Sequence, residues 1–223
     1  MIISVMQTSS NISQKFDVEY NGNFQYTGSL GAFSQYQPIA LQKNDSTVKL
    51  HGERFLSRWT NYIPFRYLFG YTNQTRGCNL SKNDEHIGTI LFFKHDLFAS
   101  FYQVILPGHR NLHAYCLYKN NFHYVSFYLG ETQVALLEVY LTVTGYKYRY
   151  KLYLLDSYSD MCDVLSLFIL YYANIEFTHR FHMSGGTTMR KAWIRSKYGD
   201  RYDADWKEKY FPDENFWGKV HLL

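Results

Sequence analysis

Three cations alternate along one predicted strand: Lys147, Arg149 and Lys151 stand two residues apart. Successive side chains of a strand point to opposite faces, so the three charges share one face. Like charges in a row repel one another unless an anion or acidic side chains neutralise them. A phosphate-bearing lipid headgroup would do so, and arginine can bind phosphate with two parallel hydrogen bonds. The alternative interpretation is a solvated outer face without a ligand.

Three further arginines, Arg54, Arg58 and Arg66, lie in the aromatic and basic segment 54–69. Pro64 excludes one long helix here, so we predict two short strands from which the arginines reach solvent. They are additional candidates for binding the same anion. The formal net charge of +4 permits contact with an anionic membrane but does not demand it. Three cations at about 1 kcal/mol each would give weak, reversible binding.

Aromatic residues beside cations are also typical of proteins that bind single-stranded nucleic acid. The alternation that places the three cations outside points Tyr146, Tyr148 and Tyr150 inward. Such tyrosines would be buried and could not stack on bases, so the pattern argues against a nucleic-acid partner.

Nine histidines invite a search for metal or acid–base chemistry. His179 and His182 have no acidic residue at metal-ligand spacing, and no HExxH pattern occurs. His113 and His123 fall on adjacent predicted strands, and Tyr115 and Val125 stand two positions later, where a two-histidine phosphoesterase would carry its hydroxyl residues. We therefore predict no metal, no cofactor and no catalytic residue, and a phosphate-ester hydrolase with dispersed histidines stays open as a further alternative.

The composition favours strands. Of the 223 residues, 22 are Tyr and 17 are Phe, and both types fit the half-buried surfaces of sheets. Cys78, Cys116 and Cys162 form no CxxC pair, which argues against a disulfide framework or a zinc knuckle. No signal-peptide pattern opens the sequence, and no apolar run reaches the roughly 18–20 residues of a membrane-spanning helix. We expect a cytoplasmic protein that acts peripherally at a membrane.

Strand patterns separated by turn residues fill most of the chain. Asn21-Gly22-Asn23 predicts a hairpin turn, and Lys94-His95-Asp96 predicts another. Residues 1–14 are interpreted as a loose lead-in, and the polar segment 71–85 as a loop. About a dozen strands at short spacing are typical of an all-β sandwich or barrel.

One segment breaks this pattern. Val164–Tyr172 carries no charge and no polar face, and it follows a polar cluster in which Asp160 and Asp163 suit the first turn of a helix. We predict a helix over about 161–176. A helix that is apolar on every side must be buried on every side. A central strand is the rival interpretation.

A closed β-barrel with an apolar interior satisfies this requirement if the helix runs through its middle. The fold prediction is therefore mostly β: a closed antiparallel barrel of about twelve strands around a buried hydrophobic helix. The expected organisation is a lead-in (1–14), the barrel domain (15–183) and a C-terminal appendage (184–223) that begins at a glycine-containing joint.

This layout resembles the tubby C-terminal-like superfamily, which includes tubby-like proteins, LURP-one-related proteins and phospholipid scramblases. Residues 86–105, HIGTILFFKHDLFASFYQVI, are similar to the family's aromatic hairpin, and residues 146–177 are similar to its last strand and central helix. The resemblance implies a non-enzymatic domain that binds phosphoinositides or other anionic headgroups. The appendage departs from the family layout, and the acidic calcium segment of scramblases is not matched.

The first functional hypothesis is therefore a non-enzymatic anionic-lipid-binding protein. The alternative is a protein–protein adaptor that uses the aromatic tail, where Trp193, Trp206 and Trp217 would carry the contact.

Overall fold

A closed barrel of twelve strands encloses one long helix. The computed structural model describes residues 1–10, 13–31, 39–43, 49–56, 73–94, 100–119, 122–142, 147–177, 201, 203 and 205–214. Within them the strands are β1 (Ile2–Ser10), β2 (Ser13–Tyr20), β3 (Asn23–Gly31), β4 (Ile39–Gln42), β5 (Lys49–Leu56), β6 (Asn73–Lys82), β7 (Glu85–Lys94), β8 (Ser100–Leu106), β9 (Arg110–Lys119), β10 (Phe122–Leu129), β11 (Thr132–Thr142) and β12 (Lys147–Leu154). The helices are α1 (Cys162–Phe177) and the short α2 (Trp206–Tyr210), and 3₁₀ turns cover Pro107–His109 and Asp156–Met161.

The strands follow one another around the barrel in chain order, and every neighbouring pair is antiparallel. β1 pairs with β12 and closes the ring, with Ile2 opposite Tyr153 and Met6 opposite Arg149. Closure removes the free strand edges that an open sheet would present. The predicted closed antiparallel barrel of about twelve strands is confirmed.

Helix α1 runs through the middle of this barrel, and its side chains from Val164 to Asn174 are buried on every face. Leu165, Phe168 and Ile169 have no exposed surface. The ring of Phe168 meets Tyr102 and Phe127 edge-on, with ring centroids 5.4 and 5.0 Å away. The predicted helix over about 161–176 is confirmed. Its length and apolarity fall short of those needed to cross a bilayer, and the same is true of the other helix in the described residues.

Two predictions about local structure are wrong. Residues 1–14 are not a loose lead-in, because β1 is a full member of the ring and buries Ile3 and Val5 in the core. Segment 71–85 is not a loop, because β6 fills most of it and buries Cys78 and Leu80. A barrel strand needs apolar side chains only at its inward positions, so a largely polar sequence can still form one.

The hairpin between β2 and β3 has the predicted turn. Asn21 and Gly22 both adopt positive φ angles, 49° and 78°. This pair of conformations matches the type I′ turn, whose twist agrees with that of the flanking strands. Asn–Gly is a strongly favoured sequence for this turn, so the hairpin is specified locally.

We expect Phe168→Ala to destabilise the protein by about 3–5 kcal/mol, because it leaves a cavity where the helix meets the barrel wall. Urea unfolding followed by circular dichroism measures the effect. Phe24→Ala is the matched control, since Phe24 is 43% exposed at the β2–β3 turn. Equal losses for the two variants would show that α1 does not fill the core.

Candidate functional site

The three alternating cations lie on the outer surface of β12. The residues between them point into the barrel: Tyr150 and Leu152 are buried in the core, and Tyr148 packs against it. Lys147, Arg149 and Lys151 are each partly exposed on the opposite face. We call these three residues the cationic stripe. The predicted orientation of β12 is therefore observed, while Tyr146 lies outside the described residues.

The middle of the cationic stripe is bordered by an exposed apolar side chain. Arg149 stands opposite Met6 on β1 and opposite Tyr140 on β11. Met6 is 38% exposed. Within the part of the chain that the structure describes, no carboxylate forms an ion pair with Arg149. A guanidinium without an ion pair among the described residues, beside an exposed thioether, can contact an anionic, partly apolar surface.

Lys151, at one end of the cationic stripe, is already neutralised. Its ammonium forms an ion pair with Glu214, which belongs to a C-terminal segment lying across the outside of the barrel. We call this segment, residues 205–214, the strap. Both partners of the pair are partly buried, which reduces screening by solvent.

Aromatic side chains anchor the strap to the barrel. Trp206 is only 4% exposed and forms a small apolar cluster with Leu136 and Tyr153 on the outer face of β11 and β12. The Trp206 indole also donates a hydrogen bond of 3.1 Å to the carbonyl oxygen of Gln133. Phe211 packs against this cluster, with its ring tilted and its centroid 5.3 Å from that of Tyr153. The strap is thus an outer layer of the domain.

A buried carboxylate organises the surface beneath the strap. Glu138 is 8% exposed and accepts hydrogen bonds from the hydroxyls of Tyr140 and Tyr153, the latter at 3.2 Å. Lys207 of the strap completes the set, with its ammonium 2.9 Å from the Glu138 carboxylate and 4.5 Å from the centre of the Tyr153 ring. Burial, and then the Glu138 charge, raises the pKa of both tyrosines, so they stay protonated as donors.

A second connection to the barrel precedes the strap. The guanidinium of Arg201 pairs with Glu131 at 2.5 Å and lies 5.3 Å from the centre of the Tyr128 ring. Burial, and then the charge of Arg201, lowers the pKa of His113. An uncharged His113 fits its position against the Phe101 and Tyr115 rings.

A separate polar cluster closes the interior at the start of α1. The Asp163 carboxylate accepts hydrogen bonds from Tyr20 at 3.1 Å and Tyr26 at 3.0 Å, and it pairs with the Lys82 ammonium at 2.6 Å. Tyr20 also bonds to Ser166 one helical turn further on. Every named group has a partner within the cluster, so its evident role is to fix the helix to β2, β3 and β6.

Not all predicted site residues can be placed. Arg58 and Arg66 lie outside the described residues. Arg54 belongs to β5, opposite Cys78 on β6, but its side chain is not among those described. Of the predicted site residues, the structure therefore describes the side chains of the cationic stripe alone.

The histidine pair that could have served a phosphoesterase is split by the sheet. His113 lies between the buried residues Leu112 and Ala114, so it faces outward. His123 stands two residues before the buried Val125 on β10, so both side chains point to the inward face. The two side chains point to opposite sides of the barrel wall. No group of three or more His, Cys, Asp or Glu side chains gathers into a possible metal site within the described residues.

Sequence reasoning missed the acidic partners. Glu138 is the single charged residue in the apolar run 134–141, and that isolation is a usable signal of a buried charge with a partner. Glu214 lies 63 residues from Lys151, and nothing in its local sequence indicates the contact. The alternative adaptor hypothesis uses Trp206 to contact a partner protein, whereas in this structure its indole is buried against the barrel.

We expect Trp206→Ala to release the strap, because its burial contributes about 2 kcal/mol to docking. Trypsin cleavage after Lys207 and Lys209 should then accelerate about thirtyfold, while the barrel stays folded. Asp213→Ala is the control, since Asp213 is an exposed residue on the same strap. Similar acceleration in both variants would contradict an anchoring role of Trp206.

The Asp163 cluster predicts a loss of stability at alkaline pH. Burial, and then the Asp163 charge, raises the pKa of Tyr20 and Tyr26, and the same two causes raise the pKa of the Cys162 thiol to about 11. Because the unfolded chain releases these protons at lower pH, the free energy of unfolding should fall as the pH rises above about 9.

Urea unfolding between pH 7.5 and 10.5 measures this dependence. Tyr20→Phe removes one such group and should make the decline above pH 10 shallower, by up to about 1.4 kcal/mol per pH unit. An unchanged slope in this variant would show that Tyr20 ionises in the folded protein as readily as in the unfolded chain.

The comparisons with known proteins supply no family for this chain. No protein-family model, no curated protein and no solved structure matches it significantly. The barrel around a central helix is observed, whereas the resemblance to the tubby C-terminal-like superfamily stays a prediction.

Proposed function

We propose that this chain is a non-enzymatic, tubby-like protein that binds anionic phospholipid headgroups at a membrane surface, through Arg149 and Lys147 of the cationic stripe. The observation that carries the proposal is the exposure of Arg149 and the lack of an ion pair to it among the described residues. Its guanidinium is partly exposed and forms no ion pair within the described residues, in a row of like charges on a rigid strand. A phosphate group is the ligand that best satisfies such a guanidinium.

The surroundings of Arg149 favour a lipid surface as the source of that phosphate. Met6 is exposed directly beside it in the strand register. A cation flanked by an apolar side chain suits the interface between headgroups and acyl chains, where both kinds of contact are available. The closed barrel holds both residues on neighbouring strands, so binding orders side chains but no backbone.

Binding should be weak and reversible. Each cation near an anionic bilayer contributes about 1 kcal/mol, and this contribution falls within about 10 Å at 0.1 M salt. Attachment through Arg149 and Lys147 therefore depends strongly on membrane charge and ionic strength. Lys151 adds little, because Glu214 already neutralises it.

The other functions considered have less support from the geometry. An adaptor would need tail residues other than the docked Trp206, and Trp193 and Trp217 lie outside the described residues. A hydrolase would need catalytic groups other than the pair His113 and His123, which face opposite sides of the sheet. Stacking on nucleic acid would need exposed rings, whereas Tyr150 is buried in the core.

The test is co-sedimentation with vesicles of phosphatidylcholine containing phosphatidylserine or phosphatidylinositol bisphosphate at equal total charge, in 0.05–0.2 M salt. We expect Arg149→Ala to weaken binding about fivefold and the double variant with Lys147→Ala about 25-fold. Lys151→Ala should change it less than twofold. Lys15→Ala is the matched control, since Lys15 is an exposed cation on the outer side of β2.

Two results would contradict the proposal. One is that the wild-type protein binds neither anionic vesicle at low salt. The other is that Lys15→Ala weakens binding as much as Arg149→Ala, which would make net charge, rather than the cationic stripe, responsible. A preference for the bisphosphate at equal total charge would identify phosphoinositides as the lipid class.

A further inference from the structure

The strap is a separate unit of the structure. Three of its amides donate to carbonyl oxygens of the strap itself, among them those of Phe211 and Lys209 at 2.7 and 2.9 Å. Toward the barrel it uses side chains instead, as the Trp206 indole and the Lys207 ammonium show. The ring of twelve strands closes without it. Among the described residues, no backbone-to-backbone hydrogen bond therefore joins the strap to the ring.

The barrel wall alone forms the surface on which the strap docks. We call this surface the socket: the carbonyl oxygen of Gln133 and the side chains of Leu136, Glu138 and Tyr153, on the outer face of β11 and β12. Both strands belong to the closed ring, so the socket keeps its shape when the strap is absent. The strap of any copy of this chain would find the same contacts there.

The barrel wall around the socket is less completely satisfied than the core. Within the described part of the chain, the buried hydroxyl of Ser126 and the side-chain nitrogen of Gln133 have no hydrogen-bond partner. Ser126 lies between the core residues Val125 and Phe127, so it faces outward, and it stands opposite Leu136 in the strand register. Buried polar atoms without partners oppose burial. Separating the strap from the wall therefore costs less than opening the core.

The chain leaves the barrel far from the point where it docks again. Turns that follow even-numbered strands share one end of the barrel, because each strand reverses direction. Glu131, in the turn after β10, pairs with Arg201, and Lys82, at the end of β6, pairs with Asp163 in the first turn of α1. Arg201 thus docks at the mouth where α1 begins, whereas α1 itself runs about 24 Å toward the other mouth. Residues 178–200 connect the two points and can span at most roughly 80 Å, enough to reach a neighbouring barrel.

We propose that two copies of this chain exchange their straps, so that each strap docks on the socket of the other barrel. The partner is a second copy because its strap is the segment whose fit to the socket is observed. Reciprocal exchange closes a symmetric dimer. The same contacts form within one chain and between two chains, so protein concentration decides between monomer and dimer. The balance should lie near the effective concentration of a tethered segment, about millimolar. The inference holds whether or not the chain binds lipid.

Two variants that damage opposite sides of the contact test this exchange. Trp206→Ala damages the strap and keeps the socket, whereas Leu136→Ala damages the socket and keeps the strap. In an equimolar mixture, the intact strap of one variant finds an intact socket only on the other. At about 0.5 mM we expect a heterodimer in the mixture and about tenfold less dimer in either variant alone. Size-exclusion chromatography isolates the dimer, and mass spectrometry identifies its two chains by their different masses.

Asp213→Ala mixed with Trp206→Ala is the matched control. Asp213 is an exposed residue of the strap, so this variant keeps both its strap and its own socket. Its strap stays on its own barrel, and we expect about tenfold less heterodimer than in the first mixture. An excess of a synthetic peptide of residues 201–214 should dissociate the heterodimer of the first mixture, because it occupies the same socket.

A second strap variant guards against misfolding. Phe211→Ala removes the ring that packs against Tyr153 and should give the same pattern as Trp206→Ala. If variants with wild-type circular dichroism form no heterodimer, the straps do not exchange. Equal amounts of heterodimer in the test and control mixtures would also overturn the inference, because the chains would then associate through another surface. Vesicle binding by Arg149→Ala tests the proposed function alone and leaves this result unchanged.

Discussion

The rest of the structure depends on the burial of α1. Its segment Val164–Tyr172 has no polar face, so no arrangement with one exposed face would be stable in water. A wall that closes completely covers such a helix on every side, and the pairing of β1 with β12 completes that wall. The Asp163 cluster then fixes the start of the helix in the barrel mouth through three strands.

This arrangement separates scaffold from function. The inward side chains of β12 belong to the apolar core, and the outward ones form the cationic stripe, so one strand serves both purposes by alternation. The same separation appears on β11, where Glu138 turns away from the core and gathers Tyr140, Tyr153 and Lys207. Substitutions on the outer face can therefore change binding while the core stays intact.

The sequence was sufficient to predict the closed barrel and its central helix, but not to locate every strand. The apolar run Val164–Tyr172 predicted the central helix, and the helix predicted the closed barrel. β1 and β6 were missed because their outward positions are polar, and β4 because four residues give too little alternation to detect. Local patterns report which face of a strand is buried only when enough residues alternate.

The candidate site shows the same division. Alternation along β12 correctly placed Lys147, Arg149 and Lys151 on the outer face. It could not reveal that Lys151 has a partner, because the ion pair joins residues 63 positions apart. Contacts of this kind are properties of the folded chain, and the strap that provides them has no periodic pattern of its own. The described surface is thus less cationic than the strand sequence suggests.

The pairing of β1 with β12 also governs how the molecule can be made. Ile2 meets Tyr153, so the ring cannot close until more than 150 residues of chain have left the ribosome, and the helix that fills it is synthesised later still. Until then β1 is an unpaired edge on an open sheet with an unfilled apolar face. Barrel closure is consequently a late event that depends on long-range contacts. Proteins dominated by such contacts fold slowly, and their unpaired strand edges are exposed to aggregation during synthesis.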